Sequence, residues 1–236
     1  AIQGDIKAVL VEFLQCLQSR AVEPRQLQAF EKHQTTVNQA PSAMSGEVGK
    51  APPRFALIAH FYTSLAQRFP QDATVFDDNI VFAQSYFSVS DRNHYYPNSG
   101  ISSLGHALPA ALGASFAGAK GPVFAVLGDG GFQMCAMELM TAVNYGTPIN
   151  VLVINNGTMG LIRKNQFQLY DERYIDCDFV NPDFAMLAQA FGIQHHRLDT
   201  PDDVDVLFAN ADLCGEINLI ELMLDKHAFP TYLSTR

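Results

Sequence analysis

The sequence predicts a doubly wound α/β fold, a mainly parallel sheet with helices on both faces. Three observations carry this expectation. Residues 122–127 and 148–154 are short, almost wholly apolar runs rich in Val, Ile and Leu, the pattern of strands buried on both faces. A helical stretch at 132–145 lies between them, which makes a βαβ unit. Beyond it the two patterns keep alternating: helix 184–191, strand 193–198, helix 202–212, strand 217–224.

From the start of the chain, Asp5 can cap a helix to about Arg20, with Ile6, Val9, Leu10, Phe13, Leu14 and Leu17 on one face. A shorter polar helix follows at 25–32. From 33 to 53 the apolar periodicity stops and Thr, Asn, Gln, Ser, Gly and Pro dominate, the composition of a linker. Two regions are therefore expected: 1–53, a helix and linker from a preceding domain, and 54–236, the α/β domain itself. In the second region, 55–69 reads as a helix and 74–76 as a short strand whose polar carboxyl end is Asp77, Asp78 and Asn79. Tyr95, Tyr96 and Pro97 lead into a glycine-rich segment, 100–113, whose small residues suit a helix packed closely on the sheet. His195 and His196 alternate faces on an edge-like strand and read as packed or solvated residues.

The totals narrow the function. A chain of 236 residues with 48% apolar content can bury a substantial core. A net charge of −9 argues against nucleic acid or an anionic membrane surface as partner. No apolar run approaches the roughly 20 residues that span a bilayer, and the first residues carry no signal-peptide pattern. Cys16, Cys135, Cys177 and Cys214 form no C-x-x-C and read as reduced thiols of a cytoplasmic protein.

The chemistry concentrates where strands end. Gly128-Asp129-Gly130-Gly131 follows one buried strand and Asn155-Asn156 the next, at the sheet edge where ligands bind α/β proteins. Gly130 and Gly131 have no Cβ to hold a ligand off, and the helix they open favours an anion such as phosphate. Asp129 would repel a bare phosphate, so a divalent cation between carboxylate and phosphate is implied. Magnesium suits this, taking oxygen ligands from one or two carboxylates together with substrate phosphates. The amide oxygen of Asn156 would be a neutral second ligand. A dinucleotide fingerprint fails because its third glycine position is Gln133, and no Gly-Lys-Ser or Gly-Lys-Thr of a P-loop occurs.

The Gly128-Asp129-Gly130 turn, twenty-four residues and then Asn155-Asn156 resemble the cofactor motif of thiamine-diphosphate enzymes, the acetolactate synthase-like and benzoylformate decarboxylase-like family. The likeness extends over about 55–236, through Tyr170-x-x-Arg173-Tyr174 and Asn181-Pro182-Asp183-Phe184. It implies thiamine diphosphate and Mg2+ as cofactors, the metal held by Asp129, the Asn156 side chain and the Thr158 carbonyl. It further implies cofactor contacts from Asp78, Asn79, Ser102, Leu104, Gly128, Gly130, Gly131, Met159, Gly160 and Leu161. Two adjacent aspartates at 77–78 also suit a solvated turn and helix cap, and Leu104 also suits a core. Within the resemblance, the Ser102 carbonyl accepts from the aminopyrimidine, Leu104 props the two rings, and Met159, Leu161 and Ile162 shape the substrate pocket.

Two positions depart from that pattern. Asn165 stands where acetolactate synthases carry a tryptophan, and Gly131 where a serine is common. The opening Ile2-x-Gly4-Asp5-Ile6 resembles the end of the family's middle domain, so a longer polypeptide is expected. The implied function is cleavage next to the carbonyl of a small 2-oxo acid, by decarboxylation, carboligation or both. A simple 2-oxo acid decarboxylase and a docking module that needs a partner are the alternatives. No catalytic acid or base is evident in this chain. The family's activating glutamate lies on a pyrimidine-binding domain of the same enzyme or a partner subunit, so a homo-oligomer is expected and this chain alone is expected to be inactive.

Overall fold

The computed structural model describes residues 51–80, 84, 86, 87, 93–98 and 102–229. The helices expected at 5–20 and 25–32, and the linker up to residue 50, lie outside them. A 3-10 turn at Pro53–Phe55 leads into α1, Ala56–Arg68. Strand β1, Thr74–Asp77, and edge strand β2, His94–Pro97, come next, then α2, Ala107–Phe116, and β3, Val123–Gly128. Helix α3, Asp129–Cys135, a 3-10 turn at Ala136–Glu138 and α4, Leu139–Tyr145, lead to β4, Ile149–Asn155. The chain then runs through α5, Gly160–Leu169, α6, Phe184–Phe191, β5, Gln194–Leu198, α7, Pro201–Asn210, and β6, Ile217–Met223.

The six strands lie in the order β2-β1-β3-β4-β6-β5, and every pair is parallel. Successive side chains of a strand point to opposite faces, so each central strand feeds two cores. Phe124, Val126, Leu152, Ile154, Ile220 and Leu222 face α1 and α7. Val123, Ala125, Leu127, Ile149, Val151, Val153 and Leu219 face α2, α3, α4 and α6. This double burial is why the strands read as continuous apolar runs. Phe61 of α1, fully buried, meets Phe124 edge-on at 6.2 Å and Phe208 of α7 at 5.3 Å. Truncating such a ring to Ala costs about 3–5 kcal/mol.

Local chemistry sets the helix ends. Asp183 accepts from the Met186 N–H (2.9 Å) to start α6, and Gly192, at φ 70°, ends it in a left-handed turn that costs glycine nothing. Thr200 and Asp203 form a reciprocal capping box at the start of α7. Pro97, which has no N–H to offer, sits at the end of an edge strand, where one fewer donor is tolerated.

Asn150 and Asn218, both fully buried, link β4 to β6 near their amino ends. Asn150 Nδ2 donates to the carbonyls of Val123 (3.1 Å) and Leu213 (2.8 Å), and Asn218 Nδ2 donates to Asn150 Oδ1 (3.0 Å). His196 meets Asn218 Oδ1 at 3.0 Å, so this histidine is packed.

The structure revises the expected elements in three places. The helix expected over 132–145 starts at Asp129, immediately after β3, and breaks at Cys135, whose φ of −132° leaves the helical region. Residues 94–97 form a strand paired to β1. Residues 160–169, which the sequence left without an element, form α5.

Candidate functional site

The strand order turns back on itself between β1 and β3: from β1 the chain goes outward to β2, then returns to β3 on the other side. The carboxyl ends of strands at such a switch point leave a crevice, because the loops there depart to opposite faces. A cleft of about 1140 Å³, part of it open to solvent, occupies that place.

Asp78 and Asn79 follow β1, and Ser102 and Leu104 precede α2. Gly128 ends β3 while Asp129, Gly130 and Gly131 open α3. Asn156, Thr158 and Met159 lead from β4 into Gly160 and Leu161 of α5. All of these residues line the one cleft. Asn165 is absent from its wall, whereas Ile80, Ile162, Lys164, Lys226 and Phe229 are part of it.

Asp129 is 1% exposed. Its Oδ2 accepts from the N–H groups of Asn156 (3.1 Å) and Gly157 (2.6 Å) and from Asn181 Nδ2 (2.7 Å). Its Oδ1 accepts from the Gly130 N–H (2.9 Å). Burial pushes the carboxyl up from its ordinary pKa, and the donors from Asn181, Gly157, Gly130 and Asn156 work against that shift. Beside it, Asn156 Oδ1 accepts a long bond from the Thr158 N–H (3.3 Å).

The sequence allowed Asp78 either a ligand contact or a place in a solvated turn and helix cap. It is 1% exposed, and its oxygens take the N–H groups of Gly105 (2.5 Å), His106 (2.9 Å) and Ala107 (3.0 Å), the start of α2. The aspartate therefore ties β1 to α2 from beneath the cleft. The glycine at 131 follows from this, since a Cβ there would meet Asp78 Oδ2 at 2.8 Å. At Gly130 a Cβ would stand 2.5 Å from Met159 Sδ, so the flexible Met159 side chain would have to move aside. Asn79 and Ser102 both take left-handed backbone, at φ 66° and 56°, and their side chains meet at 3.4 Å. Asp77, the first aspartate, accepts from the Tyr95 hydroxyl and the Ile80 N–H (2.7 Å).

Across the cleft, the chain that leaves β4 is laced to residues 177–179. The Met159 N–H donates to the Cys177 carbonyl (2.7 Å), the Phe179 N–H to the Gly157 carbonyl (3.1 Å), and the Thr158 hydroxyl to the Cys177 carbonyl (2.8 Å). Arg163 Nη1 grips both oxygens of Asp178 at 2.7 Å, and its guanidinium lies 3.9 Å from the Tyr174 ring centroid. Sequence reasoning took Asn181 as part of a helix start and missed its bond to Asp129. The signal was an amide directly before a Pro-Asp cap, but its partner lies 52 residues away.

These residues can hold a hard cation. Asp129, the Asn156 amide and the Thr158 carbonyl offer only oxygen donors, the set magnesium prefers. Among the described residues no three His, Cys, Asp or Glu side chains cluster as metal ligands, so one carboxylate would need a phosphate to complete the shell.

A doubly wound parallel sheet with a cleft at its switch point defines the class, an α/β domain of the cofactor-binding kind. The chain belongs to the family described as thiamine pyrophosphate enzyme, C-terminal TPP binding domain, which residues 78–221 match. It is 34% identical over 157 residues to the acetolactate synthase large subunit of Lactococcus lactis, covering 64% of this chain and 26% of that protein. With the acetolactate synthase isozyme 2 large subunit of Escherichia coli it shares 28% identity, over 87% of this chain and 36% of the relative. Among solved structures, it resembles the Rhodococcus jostii thiamine diphosphate-dependent 4-hydroxybenzoylformate decarboxylase, with a TM-score of 0.64 and 26% identity over 71% of this chain and 32% of that one. The chain thus spans about a third or less of the length of most of these relatives. Among the described residues no helix is long and apolar enough to cross a membrane.

Proposed function

We propose that this chain is the cofactor-binding part of a thiamine-diphosphate- and Mg2+-dependent enzyme that decarboxylates or ligates small 2-oxo acids. The observation that carries the reading is the meeting of Asp129, Asn156 and Thr158 on one cleft beside two glycines, Gly130 and Gly131. When bound, thiamine diphosphate supplies an electron sink for the bond next to the 2-oxo group. Asp129, Asn156 and the Thr158 carbonyl would hold the magnesium, and the glycine N–H groups would face the diphosphate. Leu104, 37% exposed within the cleft wall, would support the rings, and Met159, Leu161 and Ile162 would exclude water and select the substrate. Asp78 and Asn79 would act on the cofactor indirectly, through α2 and Ser102.

The activating carboxylate would come from a pyrimidine-binding domain of the same enzyme or a partner subunit, in a homo-oligomer. The site of action is the cytoplasm, where the free thiols of Cys135, Cys177 and Cys214 stay reduced. Simple decarboxylation is a second reading, favoured by Asn165, which takes the place of the tryptophan expected in a synthase. Calorimetric titration of thiamine diphosphate with and without Mg2+ tests cofactor binding: affinity that ignores the metal would defeat the assignment. Product analysis of the complete enzyme with pyruvate and with longer 2-oxo acids separates ligation from decarboxylation.

A further inference from the structure

Behind Asp129 runs a line of polar groups, half-buried at Asn181, Asn155 and His195 and buried at Glu221, that cofactor binding alone does not explain. Asn181 Nδ2 donates both to Asp129 Oδ2 (2.7 Å) and to Asn155 Oδ1 (2.8 Å). Asn155, at the end of β4, donates from Nδ2 to Glu221 Oε1 (2.6 Å). Glu221, on β6 and 5% exposed, meets His195 Nε2 of β5 through its other oxygen (3.1 Å), and Arg197 stands 3.5 Å from Oε1. Gln133 Nε2 closes the set by donating to Asn181 Oδ1 (2.7 Å).

Each amide has one end that donates and one that accepts, so the line has a direction. A carboxylate only accepts. Glu221 therefore requires the NH2 end of Asn155, which turns the Asn155 oxygen toward Asn181. That oxygen requires the NH2 end of Asn181, as Asp129 does too, so Asn181 gives an N–H to each and keeps its oxygen for Gln133. The His195 hydrogen bond, opposed by burial and aided by Asn155 and Arg197, holds Glu221 below its ordinary pKa, so it is ionised at neutral pH. At the far end Asp129 Oδ2 carries three donors while Oδ1 carries only the adjacent Gly130 N–H. Oδ1 is the oxygen with capacity to spare.

We propose that Glu221 is a positioning residue for Asp129, acting through Asn155 and Asn181 to fix which carboxylate oxygen is saturated by the protein and which is left to ligate a cation. The cation's identity rests on the cofactor reading above. The direction of the amide line does not.

The test measures Mn2+ bound in the presence of thiamine diphosphate by electron paramagnetic resonance, beside the melting temperature. Glu221→Met keeps the bulk and removes the acceptor, so Asn155 is free to turn. Metal affinity should fall about 10–100-fold, the usual cost of losing an outer-shell partner, with full occupancy recovered at high Mn2+. Glu221→Gln keeps the bulk and can still accept from Asn155, so it should stay within about threefold of the unaltered protein. A merely structural Glu221 would lower the melting temperature in both variants and leave the Mn2+ affinity of the folded protein unchanged, and that result overturns the proposal. If Glu221→Met does not fold, Asn181→Ala keeps Glu221, His195 and Asn155 paired while removing the last donor, and it should give the same loss. Unchanged metal affinity in Asn181→Ala overturns the proposal from its other end. Failure of the unaltered protein to bind Mn2+ with thiamine diphosphate defeats the cofactor reading and this inference together, whereas binding that survives Glu221→Met defeats the inference alone.

Discussion

The sheet carries a β4–β6 polar pair at each end, and the two pairs are wired to opposite purposes. Near the amino ends, Asn150 and Asn218 spend their amide groups on one another and on the carbonyls of Val123, Leu213 and Asp212. Near the carboxyl ends, Asn155 and Glu221 sit on the same two strands but pass their polarity outward through Asn181 to a carboxylate at the cleft. Residue type separates the two only in part, through the carboxylate of Glu221. What separates them is where the line of donors and acceptors terminates: inside the protein at one end, at a cleft with an acceptor to spare at the other.

The sharpest way to break this comparison is Asp129→Ala. Loss of outer-shell partners alone costs about 10–100-fold in metal affinity, so removing the carboxylate itself should cost more than about 100-fold in metal-dependent thiamine diphosphate affinity, read by calorimetry. Unchanged affinity would erase the distinction between the ends. Asn150→Ala is the counterpart. It strands buried groups of Asn218, Val123 and Leu213 at about 1–3 kcal/mol each, so chemical denaturation should show a large loss of stability while the folded protein binds cofactor normally.

Leu161→Ala probes the cleft wall away from the metal. It should change relative rates on short and long 2-oxo acids by about tenfold, within the 1–3 kcal/mol that a pocket side chain commands, with cofactor affinity steady; the reverse pattern would misplace the wall. The smallest effect is expected at α7, whose amino end also lies at the carboxyl edge but is capped by its own residues. Thr200→Ala should cost about 1 kcal/mol of stability and nothing in cofactor binding. Asp203 of this cap is held below its ordinary pKa by the Thr200 hydroxyl and the Thr200 and Asp199 N–H groups. Its contribution is therefore present above the usual carboxylate pKa and fades as pH falls through the lowered value; denaturation midpoints of Thr200→Ala and the unaltered protein should draw closer in acid without meeting, because the Asp203 N–H bond to the Thr200 hydroxyl does not titrate.

What was legible in the sequence was whatever the chain writes locally. Strands buried on both faces announce themselves as apolar runs, and one βαβ unit carries Asp129 and Asn156 on adjacent strands, so fold and cleft could be read together. The break at Cys135 could not, because Met134 and Met137 on either side keep an ordinary helical composition. Helix α5 was hidden by the glycines at 157 and 160, which read as loop, and by a charged pair, Arg163 and Lys164, that the fold buries. Asp78 was left open between ligand contact and helix cap for a different reason. Its partners are backbone N–H groups 27 to 29 residues on, and a backbone group leaves no mark in a sequence.

The lacing of residues 157–159 to 177–179 gives the cleft wall a modular character. The chain leaves the sheet and returns through the same pair of antiparallel residues, Thr158 and Asp178, with Arg163 clamping the return. Everything from Gly160 to Asp176 is therefore a closed cassette whose ends are held by backbone bonds and by Asp178, which pairs with Arg163 and Lys226. Its interior, Arg163 apart, can be rewritten, by selection or by an engineer, without moving the strand ends that carry Asp129 and Asn156. A lineage could change what it acts on at this cassette while inheriting the rest of the machinery intact.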